Sequence, residues 1–332
     1  PDMVYRLDGQ TKAWSLLPGV PDLNWNGSQF QATGNLVGSL EHIASNGENL
    51  LYALNEQSSL DAITVLDLKQ QESGWKVLPP APKRYYNPGD QDWVVSADAY
   101  AKSFADISVD KKGQVYGKLG IDGKPDTIYQ FVPADPAHPE QGTWKNLPPI
   151  PQGQWHMGAD GQATWEDEKK FVGSAKQLTV SADGRVVVRQ SRDGVDTLYA
   201  FTPGQGAGEG PDYLLAGSWE PIKPAPRVYY NGSLERIVKP GFAGDFKRHA
   251  TDFEGRLLTS WERDGYDTYF QYDFDKKAWT DQPPIPKVRH SIDSNHDLVA
   301  EPPSGYVGGI RSMGGAGISD LSRWEYKSVG KF

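Results

Sequence analysis

Five copies of one Trp-to-Pro spacing, strand-like runs between them and a repeat count that returns on itself predict an all-β chain: a five-bladed β-propeller closed by pairing of its N- and C-terminal strands in one blade. The copies are Trp14-Ser-Leu-Leu-Pro18-Gly-Val-Pro21, Trp75-Lys-Val-Leu-Pro79-Pro-Ala-Pro82, Trp144-Lys-Asn-Leu-Pro148-Pro-Ile-Pro151, Trp219-Glu-Pro-Ile-Lys-Pro-Ala-Pro226 and Trp279-Thr-Asp-Gln-Pro283-Pro-Ile-Pro286. Each places a Pro seven residues after its Trp. The Trp-to-Trp steps are 61, 69, 75 and 60 residues, and counting from Trp279 through Phe332 and on from Pro1 to Trp14 gives 67, inside that range. An open solenoid needs no such match, whereas a ring does. The reading is therefore one domain over 1–332, with repeats ending near Pro21, Pro82, Pro151, Pro226 and Pro286 and a last blade shared by 287–332 and 1–20.

The elements follow in order. Ile43-Ala-Ser-Asn-Gly47-Glu-Asn-Leu-Leu-Tyr then Asp61-Ala-Ile-Thr-Val-Leu; Asp106-Ile-Ser-Val-Asp110 through Gly113-Gln-Val-Tyr-Gly then Asp126-Thr-Ile-Tyr-Gln-Phe; Leu178-Thr-Val-Ser-Ala-Asp183-Gly-Arg-Val-Val-Val then Asp196-Thr-Leu-Tyr-Ala-Phe; and Ala250-Thr-Asp-Phe-Glu-Gly255-Arg-Leu-Leu then Asp267-Thr-Tyr-Phe-Gln-Tyr recur at matched offsets. Short β-branched and aromatic runs split by Asn-Gly or Asp-Gly read as antiparallel strands and hairpin turns. No stretch sustains an amphipathic helix over three turns. Three strands plus the Trp strand make a four-stranded blade, and sharing one blade between the termini removes free sheet edges. The closing blade combines Asp297-Leu-Val-Ala, Gly305-Tyr-Val-Gly-Gly and Leu321-Ser-Arg-Trp-Glu-Tyr with Met3-Val-Tyr-Arg-Leu and Trp14, one strand more than the others.

Composition bounds the chemistry. Of 332 residues 37% are hydrophobic, 11% aromatic and 23% charged, so the chain can bury a core and does not resemble a disordered or fibrous one. With no Cys there is no disulfide, thiol nucleophile, Cys zinc cluster or iron–sulfur site. The net charge of −9, with no basic run, argues against nucleic acid, since duplex affinity comes largely from Lys and Arg on phosphates. No apolar run approaches the roughly 20 residues of a membrane span, so no membrane insertion is expected. A start at Pro1 reads as processed or excised from a larger parent chain or complex. Absent Cys suits a secreted or extracytoplasmic bacterial protein and is compatible with the cytoplasm; export is the preferred reading.

The run Ile107–Gly117, then Ile128-Tyr-Gln-Phe131, then Trp144-Lys-Asn-Leu-Pro148 resembles the tectonin repeat, and the Trp-x-x-Leu-Pro ending is similar to kelch repeats. The resemblance recurs in all five units and covers about half of each. The units depart from both families in an insertion of roughly 20–30 residues after the final Pro, and in carrying Gly-Gly only at Gly308-Gly309 and Gly314-Gly315. The resemblance implies a lectin or surface-recognition module.

Four residues beyond each repeat Pro stand Trp25, Tyr86, Trp155, Tyr230 and His290, followed by Asn26, Asn87, His156, Asn231 and Ser291. On one reading, these ring-plus-polar pairs gather near one face of the propeller, where rings stack on the apolar faces of sugars and amides bond the hydroxyls. On the other, the rings pack between blades and the Asn closes a turn. The repeated Trp residues read as core or blade-to-blade packing, and Asp126, Asp196 and Asp267 as turn caps after Asp122-Gly, Asp193-Gly and Asp264-Gly.

An enzyme reading needs two carboxylates about 5–10 Å apart, as in glycoside hydrolases. Asp106, Asp110, Asp252, Glu254, Asp297 and Glu301 are the candidates, but they recur with the repeat where catalytic groups should break its symmetry. The six His residues show no metal-ligand spacing, Ser291–Asp297 lacks the Gly and Glu of a calcium loop, and there is no nucleophile elbow, P-loop or dinucleotide fingerprint. Neither a metal nor a cofactor is expected. Gly204–Pro211 reads as a flexible link, and Asn26-Gly-Ser and Asn231-Gly-Ser are formal glycosylation sequons. The sequence thus points to a non-catalytic recognition module whose partner is a glycan or a host-surface protein. A protein-interaction scaffold, as in a secreted effector or toxin component, is the second reading and a glycoside-cleaving enzyme the third.

Overall fold

The computed structural model describes residues 2–300 apart from 9–10, 12, 39, 56–59, 121–122, 159–160, 193–194, 205–211, 232, 253, 262–265, 286–289 and 293–297; at 97–98, 290–292 and 298–300 it describes the backbone alone. Several expectations fall outside the described residues: the repeat end at Pro286, Asp122, Asp193, Asp264, Asp293–Asp297, Glu301 and the C-terminal part of the closing blade.

The described chain is all-β, with one 3-10 turn at Gln71–Ser73. A short hairpin, β1 (Tyr5–Leu7) with β2 (Trp14–Leu16), opens it. Then two kinds of sheet alternate. A two-stranded ribbon, β3 (Pro21–Trp25) with β4 (Phe30–Leu36), precedes the four-stranded sheet β5 (His42–Ser45), β6 (Leu50–Asn55), β7 (Ala62–Asp67), β8 (Lys76–Val77). The ribbon β9 (Pro82–Asn87), β10 (Asp92–Tyr100) leads to β11 (Phe104–Val109), β12 (Val115–Leu119), β13 (Thr127–Asp135), β14 (His138–Asn146). The ribbon β15 (Pro151–Met157), β16 (Ala163–Phe171) leads to β17 (Ala175–Val180), β18 (Val186–Gln190), β19 (Thr197–Pro203), β20 (Gly217–Ile222). The ribbon β21 (Pro226–Tyr230), β22 (Arg236–Phe242) leads to β23 (Phe246–Thr251), β24 (Leu257–Trp261), β25 (Thr268–Asp273), β26 (Ala278–Gln282). A last ribbon joins β27 (His290–Ile292) to β28 (Leu298–Ala300).

Each four-stranded sheet is an antiparallel meander, and the first strands lie side by side, β5 against β11, β11 against β17 and β17 against β23. That is the arrangement of propeller blades around an axis. Side chains staple these inner strands across the blades. Ser108 Oγ accepts from Val180 N at 3.0 Å, and the Gln177 amide both accepts from His249 N (3.1 Å) and donates to its carbonyl (2.8 Å).

Four of the five repeated Trp residues, Trp75, Trp144, Trp219 and Trp279, take the packing role their periodicity predicts, and each of the four also makes one directional bond, whereas Trp14 is 63% exposed. Trp75 Nε1 donates to the Pro18 carbonyl (2.8 Å), Trp144 to Pro79 (2.7 Å), Trp219 to Pro148 (2.8 Å) and Trp279 to Lys223 (2.6 Å). Every acceptor lies four residues beyond the preceding unit's Trp. The rings also close the aromatic layer of their own blade, as in the Phe131–Trp144 and Phe201–Trp219 contacts at 5.1 and 5.2 Å.

Three expectations are corrected. The stretch after each final Pro, expected only as an insertion, is a β-ribbon, and in three of these ribbons an aromatic pair faces across the strands. Leu298–Ala300, expected in the closing blade, pairs with His290–Ile292 as the ribbon of its unit. Of the Asp residues expected as turn caps, Asp196 does hold its own turn, accepting from Arg192 N at 3.1 Å, but the cross-blade bonds of this repeated position were not expected. Asp61 Oδ2 accepts from Phe104 N at 2.8 Å, Asp126 from Ala175 N at 2.5 Å and Asp196 from Phe246 N at 3.0 Å. Each carboxylate thus pins the first residue of the next blade, since strand entry leaves that N–H without a ladder partner.

Candidate functional site

Chain direction decides where the ribbons stand. In an antiparallel meander of four strands, the fourth ends and the first of the next blade begins at the same end of the sheet, so every ribbon joining them belongs to one face. The turns from first to second strand lie on the opposite face. Asp110, Asp252 and Glu254 belong to those opposite turns and are separated from the ribbons by the length of a strand.

The structure places Trp25, Tyr86, Trp155 and Tyr230 near the tips of β3, β9, β15 and β21, all half-buried. His290 begins β27; its side chain lies outside what is described. Three of the rings face a ring directly across their ribbon: Trp25 meets Phe30 at 5.1 Å, Tyr86 meets Trp93 at 5.9 Å and Trp155 meets Trp165 at 5.2 Å. Two also reach the neighbouring ribbon, Trp25 to Tyr100 at 5.0 Å and Tyr86 to Phe171 at 4.9 Å, both edge to face. Sequence reasoning missed Phe30, Trp93, Tyr100, Trp165 and Phe171; for Phe30, Trp93 and Trp165 the available signal was a ring at the position a hairpin brings opposite.

The polar members divide. Asn26 Oδ1 accepts from Ser28 N and Gln29 N, both at 2.9 Å, and Asn231 Oδ1 accepts from Ser233 N and Glu235 N, also at 2.9 Å. Asn87 Oδ1 accepts from Gly89 N at 3.4 Å while its amide nitrogen donates to Asp90 at 2.5 Å. These amides close the ribbon tips. His156 instead meets Glu166 across its ribbon, Nε2 to Oε2 at 2.7 Å.

Tyrosines on the blades hold the ribbon bases. Tyr129 Oη accepts from Arg84 N (2.8 Å) and donates to its carbonyl (2.9 Å), and Tyr199 Oη accepts from Gly153 N (3.3 Å). Burial pushes both phenols up to about 12, so they stay protonated as donors. Arg84 also donates to the carbonyl of Trp144 and to Asn146 Oδ1, and its guanidinium lies 4.8 Å from the Tyr213 ring. Arg192 bonds the Gly153 carbonyl and Glu168, whose other oxygen accepts from Gln152 at 2.6 Å; the Arg192 bond holds the Glu168 carboxyl below its ordinary range. On the fourth ribbon Tyr230 Oη donates to Asp281 at 3.0 Å and Arg236 forks onto both oxygens of the same carboxylate at 2.8 Å.

Four of the six carboxylates considered for catalysis, Asp106, Asp110, Asp252 and Glu254, lie among the described residues, and each bonds the scaffold. Asp106 Oδ2 accepts from Leu178 N at 3.1 Å and its Oδ1 is 3.4 Å from His42 Nδ1; burial raises this carboxyl despite those contacts. Asp110 Oδ1 accepts from Gln114 N at 2.9 Å, and burial pushes the group up to about 6. Asp252 bonds Arg256 at 2.6 Å and two turn amides, and Glu254 meets the same guanidinium at 2.8 Å. Among the described residues no group of three His, Asp or Glu side chains is placed to hold a metal ion, and no helix is long and apolar enough to cross a membrane.

No protein-family model and no curated protein sequence matches the chain. Solved structures similar to it include a protein from Lactobacillus plantarum, at 11% identity over 89% of this chain and 69% of that one with a TM-score of 0.39. The Dos1 propeller gives 8% identity over 85% and 70% at 0.33. The β-propeller domain of the Trilobed protease from Pyrococcus furiosus, described as having an open velcro topology, gives 14% over 79% and 90% at 0.27. These similarities are too distant to add to what the strand order itself shows, which is a β-propeller.

Proposed function

We propose that the chain is a non-catalytic recognition module, a lectin-like propeller of the tectonin-like or kelch-like kind, acting outside the cytoplasm and binding carbohydrate through the tier of ribbons on one face. One observation carries this reading: Trp25, Tyr86, Trp155 and Tyr230 stand half-buried near the ribbon tips, each followed in sequence by a polar side chain. A half-buried ring fixed on one side by neighbouring rings presents its remaining surface in a set orientation, and stacking against the apolar face of a pyranose needs that. Repetition from ribbon to ribbon suits a glycan with recurring units, because linked weak sites add as avidity. The carrier is a five-unit ring forming a single domain, its last unit shared by the two ends.

The second reading, a scaffold for a protein partner such as a host-surface protein, is favoured by a different observation. Leu36, Val95, Met157, Leu234 and Val238 are exposed large aliphatic side chains, and all five lie on the ribbons. Apolar groups gathered on one face are characteristic of protein contacts.

A glycan array with the full chain and with Trp25→Ala, Tyr86→Ala and Tyr230→Ala decides between them. Loss of one ring from a stacking site weakens binding by roughly 2- to 12-fold, the equivalent of about 0.5–1.5 kcal/mol. Binding unchanged in all three variants, with melting curves showing each folded, removes the carbohydrate reading.

A further inference from the structure

We propose a second binding site between the sheet β17–β20 and the sheet β23–β26, on the face away from the ribbons, which takes one aromatic ring carrying a carboxylate and pairs that carboxylate with Arg185. The proposal does not rest on carbohydrate binding by the ribbons.

A departure from the repeat opens the space. Four residues beyond the repeated Asp stand Val65, Gln130 and Gln271 in three blades, and Ala200 in the fourth. Directly across on the second strand stand Tyr52, Tyr116 and Leu258, and Val187 opposite Ala200. In the blade β11–β14 the large side chains fill the space with bonds to one another: the Gln130 amide donates to Tyr116 Oη at 2.7 Å and to Gln114 Oε1 at 2.8 Å. Arg185 takes the place of Gln114, since the Asp110 and Ser181 amides donate to the carbonyls of Gln114 and Arg185 in matching turns. With Ala200 and Val187 in place of Gln130 and Tyr116, a cavity of about 160 Å³ remains, lined among others by Arg185, Ala200, Ile222, Tyr272 and Phe274. Interiors are otherwise close-packed, and a cavity of roughly 150 Å³ admits a benzene ring.

The lining selects the ligand. Ile222 and Tyr272 are each 5% exposed and give apolar walls. The Arg185 guanidinium lies 4.3 Å from the centre of the Phe274 ring in the next blade. Two acidic groups are close by. Glu220 is already matched, its Oε1 2.6 Å from Lys277 Nζ at the cavity rim. Asp183 stands 3.7 Å from Arg185 with a side chain 58% exposed, a long and solvated pair of little worth. Arg185 is therefore the cation that a ligand carboxylate can engage, through charge-assisted bonds in a partly desolvated site. Burial pushes the Tyr272 phenol up to about 12, which keeps it protonated, and its hydroxyl donates to no acceptor among the described residues.

Saturation-transfer NMR of the full chain with phenylacetate tests the proposal. Saturable binding with a Kd on the order of 1 mM is expected for a ligand of one ring, and no saturable binding overturns the proposal. Ala200→Gln installs the residue that the blades on either side carry, and Ala200→Val the residue of the first blade. Each fills the cavity and is expected to weaken binding by roughly 10-fold or more. Parental affinity in either variant, with an unchanged melting curve, overturns the site. Arg185→Gln, which copies Gln114, is expected to weaken phenylacetate by roughly 10-fold and benzyl alcohol by less than about 2-fold. Equal losses for the two ligands overturn the role of Arg185. Benzylamine, with the charge reversed, is expected to bind more weakly than phenylacetate, and equal or tighter binding overturns the choice of an anion. Glycan binding by the Ala200 variants is expected to match the parent, so this proposal and the carbohydrate reading fail separately.

Discussion

The indole Nε1 of Trp144 donates to the carbonyl of Pro79 at 2.7 Å, joining two blades through residues 65 positions apart. The same ring packs on Phe131 at 5.1 Å in its own blade, so one side chain closes a blade and fastens it to the one before. Trp144→Phe keeps most of the ring and loses the donor, which should cost about 0.5–1.5 kcal/mol. Trp144→Ala also loses the packing and should cost about 3–5 kcal/mol. Urea midpoints of the two variants check this; equal losses would mean that the ring packing adds nothing beyond the hydrogen bond, and no loss in Trp144→Phe that the hydrogen bond is immaterial.

Asp196 is an interblade carboxylate with partners in two blades. It is 2% exposed, accepts from Phe246 N at 3.0 Å and Arg192 N at 3.1 Å, and meets Arg189 Nη1 at 2.9 Å. Asp196→Ala leaves that guanidinium buried without its counter-charge and should cost about 3–5 kcal/mol. Asp196→Asn keeps an acceptor for the backbone and should cost less. Chemical denaturation orders the two, and the reverse order would place the stabilisation elsewhere.

What was legible in the sequence was periodic. A fixed Trp-to-Pro offset and Asn-Gly or Asp-Gly turns between alternating runs are consequences of the strand period, so they revealed blades, turns and the packing role of the tryptophans. What was not legible reaches across blades. Nothing near Trp75 marks the Pro18 carbonyl as its acceptor, because any backbone carbonyl would serve and only the closed packing selects one. Asp126 looked like a turn cap for the same reason: the N–H it holds belongs to Ala175, 49 residues on. At the candidate site, Trp25 and Asn26 were readable as a pair, but the ring turns to Tyr100 and the amide to its own ribbon tip, two contacts that depend on a ribbon the sequence presented as an insertion.

Asp110 gives the molecule a definite pH dependence. Its carboxyl is pushed up to about 6, chiefly by burial, against about 3.9 in an unfolded chain. The folded state therefore binds more protons than the unfolded one between these values, and the contribution is full below about 4 and lost as pH rises through about 6. Asp110→Asn removes the titration. Its turn should survive, since Asn46 closes the equivalent turn by accepting from Glu48 N, Asn49 N and Leu50 N. Relative to the variant, the parent should gain about 2 kcal/mol on going from pH 7 to pH 4. Parallel denaturation curves at the two pH values test this, and a constant difference would show that the group titrates normally.

The contact between Trp25 and Tyr100, edge to face at 5.0 Å, joins two neighbouring ribbons. Both rings are half-buried, so each is divided between holding the tier together and facing outward. A double-mutant cycle separates the parts. With Trp25→Ala, Tyr100→Ala and the pair, the two stability losses should fall short of additivity by about 0.5–1.5 kcal/mol, the coupling of an aromatic pair beyond its buried area. Ligand binding read on the same four proteins then carries the functional distinction. If Trp25 meets a sugar directly, Trp25→Ala weakens binding more than Tyr100→Ala does, although both break the same contact. If the rings only shape the tier, the two variants weaken binding equally, and Trp25 is a positioning residue for a site formed by the exposed aliphatic groups.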